Sequence, residues 1–509
     1  MHALSMEFAA LATVADQLVA TSKRGEKAAL IASLLSRLEP AEVAPAVAFL
    51  TGTPMQGRIG IGWATLREVQ PEPAAAPSLT VGEVDRAMSQ LAGMSGAGVT
   101  AARRAVLMDV FSRATAPEQG LLWRVFSGEL RHGALDGVMV EAIAKAASVP
   151  VTAVRRAHMM SGDLGRAAEA ALSGGEPALR SIAMSPGRAV QPMLASPAPD
   201  VASAIAATGP ASVEWKLDGA RVQAHRRDGA VRLYTRNFND ITDRLGGVAA
   251  LVAGLPGGDL VLDGEVLGVD DEGTPRRFQD TMGDFGADAP TRRGAGLSAY
   301  FFDVLHAGGA ATVDEPLSVR RELLATIVPA TSRLPSLVTS EVAEASAFLD
   351  RAVAAGHEGV MVKALHAPYD AGRRGGAWRK VKPVYTLDLV VLAAEWGHGR
   401  RTGWLSNLHL GARGDDGEWV MVGKTFKGLT DELLTWQTEA LQQLAVGTES
   451  DYVVHVRPEL VVEIAVDGVQ ASTRYPGGVA LRFARVRGYR PDKSAAEADH
   501  ISTVQALLR

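Results

Sequence analysis

The sequence predicts a multidomain protein: an all-α N-terminal region, an α+β middle region and an all-β barrel at the C-terminus. Two observations carry this prediction. A chain of 509 residues is too long for one compact core, and its texture changes twice, near Val213 and again after Pro383. Apolar residues make up 47% of the chain and charged residues 21%, with a net charge of only −5 and no long block of one sign. Each region can therefore bury an interior, and extended disorder is excluded.

The first region, residues 1–207, is rich in Ala and Leu at helical spacing. Leu135, Val138, Met139, Ala142 and Ala146 fall on one face of a 3.6-residue period. Gln70 to Leu79, rich in Pro and Ala, reads as a loop within this region, and Gly174 to Pro192 as its exit linker. The second region, 208–383, brings short alternating segments: Val222 to His225, Val231 to Thr235, Leu260 to Leu262, Ala299 to Phe302 and Gly359 to Val362. Helix candidates such as Glu341 to Ala355 lie between them.

The third region, 384–509, has strand patterns at Leu387 to Ala393, Asn407 to Ala412, Trp419 to Lys424, Leu460 to Ala465 and Leu481 to Val486. Gly414-Asp415-Asp416-Gly417 supplies a hairpin turn, and Thr430 to Leu444 reads as one intervening helix. Five strands and a helix in about a hundred residues fit a Greek-key barrel of the OB type.

Composition also excludes several chemistries. With no cysteine, disulfides, thiolate zinc sites and thiol nucleophiles are absent, so any metal must sit on oxygen or imidazole. Met1 to Ala20 lacks a cationic flank leading into an apolar core, and no run is long enough to span a bilayer; a cytoplasmic protein with no membrane partner is expected. Weak net acidity does not exclude nucleic acid, because the basic residues cluster. They gather at Arg103-Arg104, Arg155-Arg156, Arg226-Arg227, Arg373-Arg374, Arg379 to Lys382, Arg400-Arg401 and Arg482 to Lys493.

The residues that suggest chemistry begin at Lys216, in Glu214-Trp215-Lys216-Leu217-Asp218-Gly219-Ala220-Arg221. It ends a strand and enters a tight turn, where Gly219 lets a ligand approach the backbone. A free lysine, with a pKa of about 10.4, must lose its proton before it can attack phosphorus, so cations or a bound metal are expected nearby. Arg236-Asn237 follows a strand, and its guanidinium can grip a phosphate through two parallel hydrogen bonds. Glu265, in Leu262-Asp263-Gly264-Glu265-Val266, is an acid within an apolar strand and calls for a sugar hydroxyl or a metal.

Tyr300-Phe301-Phe302-Asp303 places aromatics on a strand where one ring can stack on a base while Phe301 faces the core. Glu358, before Gly359-Val360-Met361-Val362-Lys363, suits oxygen coordination of Mg²⁺. In Trp378-Arg379-Lys380-Val381-Lys382 the alternation puts Lys380 and Lys382 on one strand face, a pair suited to a polyphosphate.

In this order, these six clusters resemble the nucleotidyltransferase motifs of the covalent ligase and capping-enzyme superfamily. The resemblance implies an α+β nucleotidyltransferase domain, of an ATP-grasp-like ligase type, in which Lys216 forms a phosphoramidate with AMP and Arg221 touches the ribose. It further implies that Arg236 holds a 5′-phosphate, Glu265 meets ribose or metal, Phe302 stacks on adenine and Glu214 lies near the adenine edge. Glu358 matches a metal ligand, and Lys380 and Lys382 match the pair on the α-phosphate. Arg482-Phe483-Ala484-Arg485 and Arg490-Pro491-Asp492-Lys493 resemble the last motif of the family, carried on the barrel. That assigns Arg485 and Arg490 to ATP, and Asp492 and Lys493 to catalysis. The match is incomplete, because family members often have Pro where Ala484 stands and Arg where Gly488 stands.

Leu130-Arg131-His132-Gly133, Ser161-Gly162-Asp163-Leu164-Gly165 and Gln191-Pro192-Met193-Leu194-Ala195 resemble the DNA-binding domain and linker of the larger ATP-dependent DNA ligases, bacterial forms included. NAD-dependent relatives usually carry a four-cysteine zinc module, which this chain cannot form. The resemblance thus implies ATP as AMP donor, Mg²⁺ with Mn²⁺ as the other candidate metal, and nicked duplex DNA as substrate. It also implies a monomer working at the nucleoid, and a rotation of the barrel near Pro383 to Leu387. An RNA ligase, a capping-type guanylyltransferase and an inactive nucleic-acid-binding scaffold remain as alternatives.

Overall fold

The computed structural model describes residues 5–57, 59, 61–96, 98–128, 130, 136–270, 276, 296–370, 374–450 and 452–508. Arg131, His132, Gly133, Leu135 and Arg373, singled out above, lie outside the described residues.

Among the described residues, ten α-helices from Phe8–Ala20 to Leu164–Ser181 build the N-terminal region. Local capping sets several of their starts. Before the helix Val81–Gly93, Thr80 Oγ1 accepts from the Glu83 N–H at 3.2 Å while the Glu83 carboxylate accepts from the Thr80 N–H at 2.8 Å. The helix Leu164–Ser181 runs through the stretch expected to be linker, broken only where Gly175 takes φ 63°. The connecting segment that follows is not loose. Val190 exchanges two hydrogen bonds with the Gln223 amide, at 3.0 and 2.7 Å, Tyr234 donates to Gly187 O at 2.7 Å, and the Gly187 N–H donates to His225 Nδ1 at 3.2 Å.

The middle region holds two sheets. The first has strand order β1-β10-β9-β2-β8, with β1 (Leu194–Pro197), β2 (Ala211–Lys216), β8 (Ser336–Thr339), β9 (Gly359–Ala364) and β10 (Arg374–Val381). β1 runs parallel to β10, and the other neighbours are antiparallel. β1 and the helix Val201–Thr208 precede residue 208, yet they pack with this sheet: β1 pairs with β10, and Val201, Ala204 and Ile205 share a core with Val213, Val360 and Val362. The second sheet is the antiparallel meander β4-β3-β5-β6-β7: β3 (Ala220–Arg227), β4 (Ala230–Thr235), β5 (Leu260–Gly268), β6 (Leu297–Ala307) and β7 (Ala310–Ala311).

Several charges in this region serve the fold. Arg226, half of one of the basic clusters, is buried and donates to the carbonyls of Val252, Leu255 and Gly258 at the end of the helix Gly246–Gly254. Asp303 and Arg320 form a fully buried bidentate pair at 2.7 and 3.0 Å. The helical core runs on into Met193, Val261, Tyr369 and Trp378 of the middle region. Arg156 adds a bidentate clasp to Asp314 at 2.6 and 2.8 Å.

The C-terminal barrel is built around the long strand β11 (Tyr385–Trp396). Its first half pairs with β16 (Val461–Val466) and its second with β15 (Val453–Val456), while β12 (Leu405–Arg413) borders its other edge. β12 turns through residues 414–417 into β13 (Trp419–Thr425), as the Gly-Asp-Asp-Gly signal requires, and the expected helix spans Asp431–Gln443. The strand predicted at Leu481 to Val486 is two strands, β18 (Val479–Arg482) and β19 (Arg485–Tyr489), divided at Phe483 with φ 54°. No helix among the described residues is long and apolar enough to cross a membrane.

His225, fully buried on β3, makes stability pH-dependent. Burial pushes its pKa down to about 3, against the ordinary 6.5, so the unfolded chain takes up the proton first as pH falls. Its contribution is complete above pH 6.5 and is lost toward pH 3, by about 2 kcal/mol at pH 5. Urea unfolding should therefore show His225→Gln losing less stability than the parent between pH 6.5 and 5; parallel curves would remove His225 from the account.

Candidate active site

The two sheets of the middle region meet over a cleft of about 350 Å³. Its lining includes Glu214, Lys216, Arg221, Arg236, Glu265, Phe302 and Lys380. These expected residues come from β2, β3, the end of β4, β5, β6 and β10, so the topology gathers what the sequence scatters over more than 160 positions.

Lys216 ends β2, opposite Gly359 in the β2–β9 register. Both neighbouring glycines are required by close packing. A Cβ on Gly359, at φ 146°, would sit 2.2 Å from Val381 O, and one on Gly219 would sit 2.5 Å from Val266 O. Gly219 thus lets β5 approach the turn after the lysine; the neighbour it accommodates is backbone, where a ligand was expected.

The Lys216 ammonium is paired with the Glu358 carboxylate, which Lys382 also reaches at 2.9 Å and Arg482 approaches at 3.6 Å. Burial works to raise the Glu358 pKa, but Lys216 and Lys382 outweigh it and hold the carboxyl at about 2. Glu265 has the opposite character. Among the described residues it has no hydrogen-bond or ion-pair partner, and burial pushes its pKa up to about 7 against the pull of Lys216 and Arg221. A buried carboxylate in that state is suited to a cation. Glu358 is saturated by cations here, and no cluster of three or more metal-ligating side chains occurs among the described residues. A metal would therefore sit on Glu265 and on oxygens that the substrate brings.

Arg221 is committed within the protein. It grips Asp263 through two bonds, at 3.0 and 2.6 Å, and donates to Met193 O at 2.7 Å, while Tyr369 donates to the same carboxylate at 2.7 Å. It forms the wall of the cleft beneath Phe302, with its guanidinium carbon 5.6 Å from that ring. Phe302 lines the cleft, whereas Phe301 is fully buried, as the alternation predicts. Arg236 is exposed at the rim.

The sequence gives no role to Lys363, Met361 and Trp378, which also line the cleft. The alternation in Met361-Val362-Lys363 was the available signal, since Met361 and Lys363 must share a strand face.

The barrel closes the cleft through charge. Arg482 grips Asp218 at 2.6 and 3.3 Å, Arg485 pairs with Asp467 at 3.0 Å, and Asp467 lies 3.8 Å from Lys382. Arg490, Asp492 and Lys493 are not brought to the cleft. Arg490 and Lys493 converge on Asp388 of β11, at 3.1 and 2.5 Å, and Arg490 also pairs with Asp492 at 2.6 Å. These neutralising partners hold the end of the last motif on the surface of the barrel, and Arg482 is the member that reaches the mouth of the cleft, with Arg485 bracing Asp467 beside it.

Arg482→Ala removes the main link between barrel and cleft. Losing about 1–3 kcal/mol of partly buried ion pairing should raise the open population roughly 5- to 150-fold. Small-angle scattering at moderate salt should then report a larger radius of gyration than for the parent; an unchanged scattering curve would show that other contacts seat the barrel.

Comparison with known proteins agrees with this arrangement. Family models match in each region: DNA ligase N terminus over 63–144, ATP dependent DNA ligase domain over 192–382 and ATP dependent DNA ligase C terminal region over 401–493. A probable DNA ligase of Saccharopolyspora erythraea is 56% identical over 489 residues, covering 96% of this chain and 95% of that one. One of Rhodococcus jostii is 52% identical over 505 residues, covering 99% of this chain and all of that one. The solved structure named Pmar-Lig_Pre shares the fold at a TM-score of 0.63 and 19% identity, covering 94% of this chain and 99% of that one. Matched in all three regions, and over nearly its whole length by relatives more than half identical to it, the chain belongs to the ATP-dependent DNA ligase family.

Proposed function

We propose that this ligase seals nicks in duplex DNA through a covalent lysyl-AMP intermediate on Lys216. The observation that carries the reading is the convergence of Lys216, Glu265, Phe302, Arg236 and Lys380 on one cleft, with Lys382 at its edge through Glu358. ATP enters with its base against Phe302 and its phosphates toward Lys380 and Lys382. The triphosphate competes for Lys382 and Arg482, which loosens Glu358 and releases Lys216 from its ion pair. Lys216 Nζ, having given up its proton to water, attacks the α-phosphorus; the N–P bond forms as the P–O bond to pyrophosphate breaks and pyrophosphate leaves.

AMP then passes to a 5′-phosphate held by Arg236, and the adjacent 3′-hydroxyl displaces AMP. Each step is an in-line displacement, so the chain supplies positioning and positive charge. Mg²⁺, held by Glu265 together with phosphate oxygens, would neutralise charge on the transferring group. Glu358 becomes available as a second ligand only when Lys216 and Lys382 turn to the nucleotide. The protein acts as a monomer, in the cytoplasm at the nucleoid, with the helical region and the barrel closing on the duplex from opposite sides.

Incubation with ATP labelled at the α-phosphate should leave label on the chain that survives alkali and is lost in hot acid. Lys216→Ala should abolish it, Lys382→Ala should reduce its rate by roughly 10²–10³-fold, and nicked duplex should discharge it as AMP with sealing of the strand. Label persisting on Lys216→Ala would overturn the assignment of the nucleophile.

A further inference from the structure

A second groove, of about 740 Å³, opens where the helical region, the connecting segment and the β3–β4 hairpin meet. Arg166, Arg188, Arg227 and Arg232 line it, and among the described residues Asp228 is the one acid in its lining. These arginines come from separate places in the chain: the first turn of the helix Leu164–Ser181, the connecting segment, the end of β3, and β4. The fold brings them side by side. Tyr234, on the same face of β4 as Arg232, donates to Gly187 O at 2.7 Å, and Arg227 packs on Gly187, its Cδ 3.7 Å from where a Cβ would stand. Arg188 follows Gly187 and reaches Asp163, the cap of the helix that carries Arg166, at 3.0 Å. Arg227 and Arg232 each lie 3.5 Å from an acid, Asp228 and Asp240. All three of these pairs are exposed, and exposed pairs are weak, so the guanidinium groups can turn to a stronger anion.

This groove is continuous with the active site. Arg188 also lines a neighbouring groove together with Asn237 and Arg236, and Arg236 in turn lines the cleft of Lys216. A row of cations thus leads from the rim of the cleft at Arg236 through Arg188 to Arg232, Arg227 and Arg166. We propose that this row binds the backbone of the DNA strand that begins at the 5′-phosphate, and carries that strand away from the nick. A strand whose terminal phosphate sits on Arg236 has its next phosphates tethered to that one, and the next cations in line are Arg188 and Arg232. Arg232 and Arg236 are four residues apart along an extended chain, about 13 Å, which matches the axial rise of about four base steps. The contacts are to phosphate, so they fix the position of the duplex and read no sequence. The assignment rests on the reading of the chain as a nick-sealing ligase with the 5′-phosphate at Arg236.

Equilibrium binding of the full chain to nicked duplexes in which chosen phosphates are replaced by neutral methylphosphonates tests the row without any variant. With the terminal phosphate kept and roughly the next four linkages of the 5′-phosphate strand neutralised, affinity at moderate salt should fall about ten- to a hundredfold, and the slope of log K against log salt should become shallower by about two to three. The triple variant Arg166→Gln, Arg227→Gln, Arg232→Gln should show the same loss on unmodified DNA. It should be nearly indifferent to neutralisation of the 5′-phosphate strand, while responding to neutralisation of the 3′-hydroxyl strand as the parent does. The corresponding triple lysine variant, which keeps the charge, should retain most of the slope. A parent indifferent to charge on the 5′-phosphate strand would overturn the proposal, as would a glutamine variant as sensitive to that charge as the parent, or one whose lost sensitivity is to the 3′-hydroxyl strand. Failure of the parent to seal the unmodified nick would overturn the ligase reading itself.

Discussion

The carboxylate of Glu358 is the group on which the arrangement of the cleft depends. It binds Lys216, 142 residues away in sequence, together with Lys382 and Arg482. A site that must hold a polyphosphate needs several cations in a small volume, and such cations repel one another when no anion is present. Glu358, Asp218 and Asp467 occupy the electrostatic place of phosphates. In a partly wet cleft each contact pair is worth on the order of a few kcal/mol before desolvation. That is enough to favour one arrangement and little enough for a triphosphate to displace it.

The two flanking regions are attached by different physics, and this decides which of them can move. The helical region shares a continuous apolar core with the middle region, the backbone of its connecting segment is laced to the Gln223 and Tyr234 side chains of β3 and β4, and Arg156 clasps Asp314. Apolar burial and satisfied backbone groups are lost together or not at all, so these regions behave as one body. The barrel has its own separate core and meets the cleft through Arg482 and through Asp467, which Arg485 braces from within the barrel. Ion pairs of that kind exchange partners readily, which would suit the rotation of the barrel that the resemblance implies.

This division explains what was legible in the sequence. The three textures are matters of periodicity, and the elements they predict lie where expected, from β3 to the helix Asp431–Gln443. Lys216, Glu265, Phe302 and Lys380 were legible because each belongs to a short motif whose residue types have few other uses in combination. Pairings between distant residues left no such mark. Arg226 reads as half of a basic cluster and is a buried helix cap, and nothing in the sequence marks Arg320, which is locked onto Asp303. Lys363 reads as the end of a strand and is the innermost cation of the cleft. Arg490, Asp492 and Lys493 were read from their motif alone, which does not reveal that Asp388, about a hundred residues earlier, holds two of them against the barrel.

Phe483 shows how the barrel meets the cleft with two arginines. In one continuous strand from Leu481 to Val486, residues three apart project to opposite faces, so Arg482 and Arg485 could not both serve the same mouth. The chain instead breaks at Phe483, which takes φ 54° with its ring 57% exposed, and the alternation restarts in β19. Arg482 then reaches Asp218 while Arg485 reaches Asp467, and Lys382 and Lys427 lie 5.9 and 5.8 Å from the exposed ring. A left-handed backbone at an aromatic residue costs on the order of 1–3 kcal/mol and persists only where its surroundings fix it. Here its two neighbours are fixed on either side, Arg482 by Asp218 and Ala484 by the Thr425 hydroxyl, which donates to its carbonyl at 2.6 Å. Binding at the cleft and the seating of the barrel are therefore linked: a ligand that draws Lys382 and Arg482 away from Glu358 also weakens the contacts that hold Phe483 in place. Release of the nucleophile and release of the barrel thus share one set of charges.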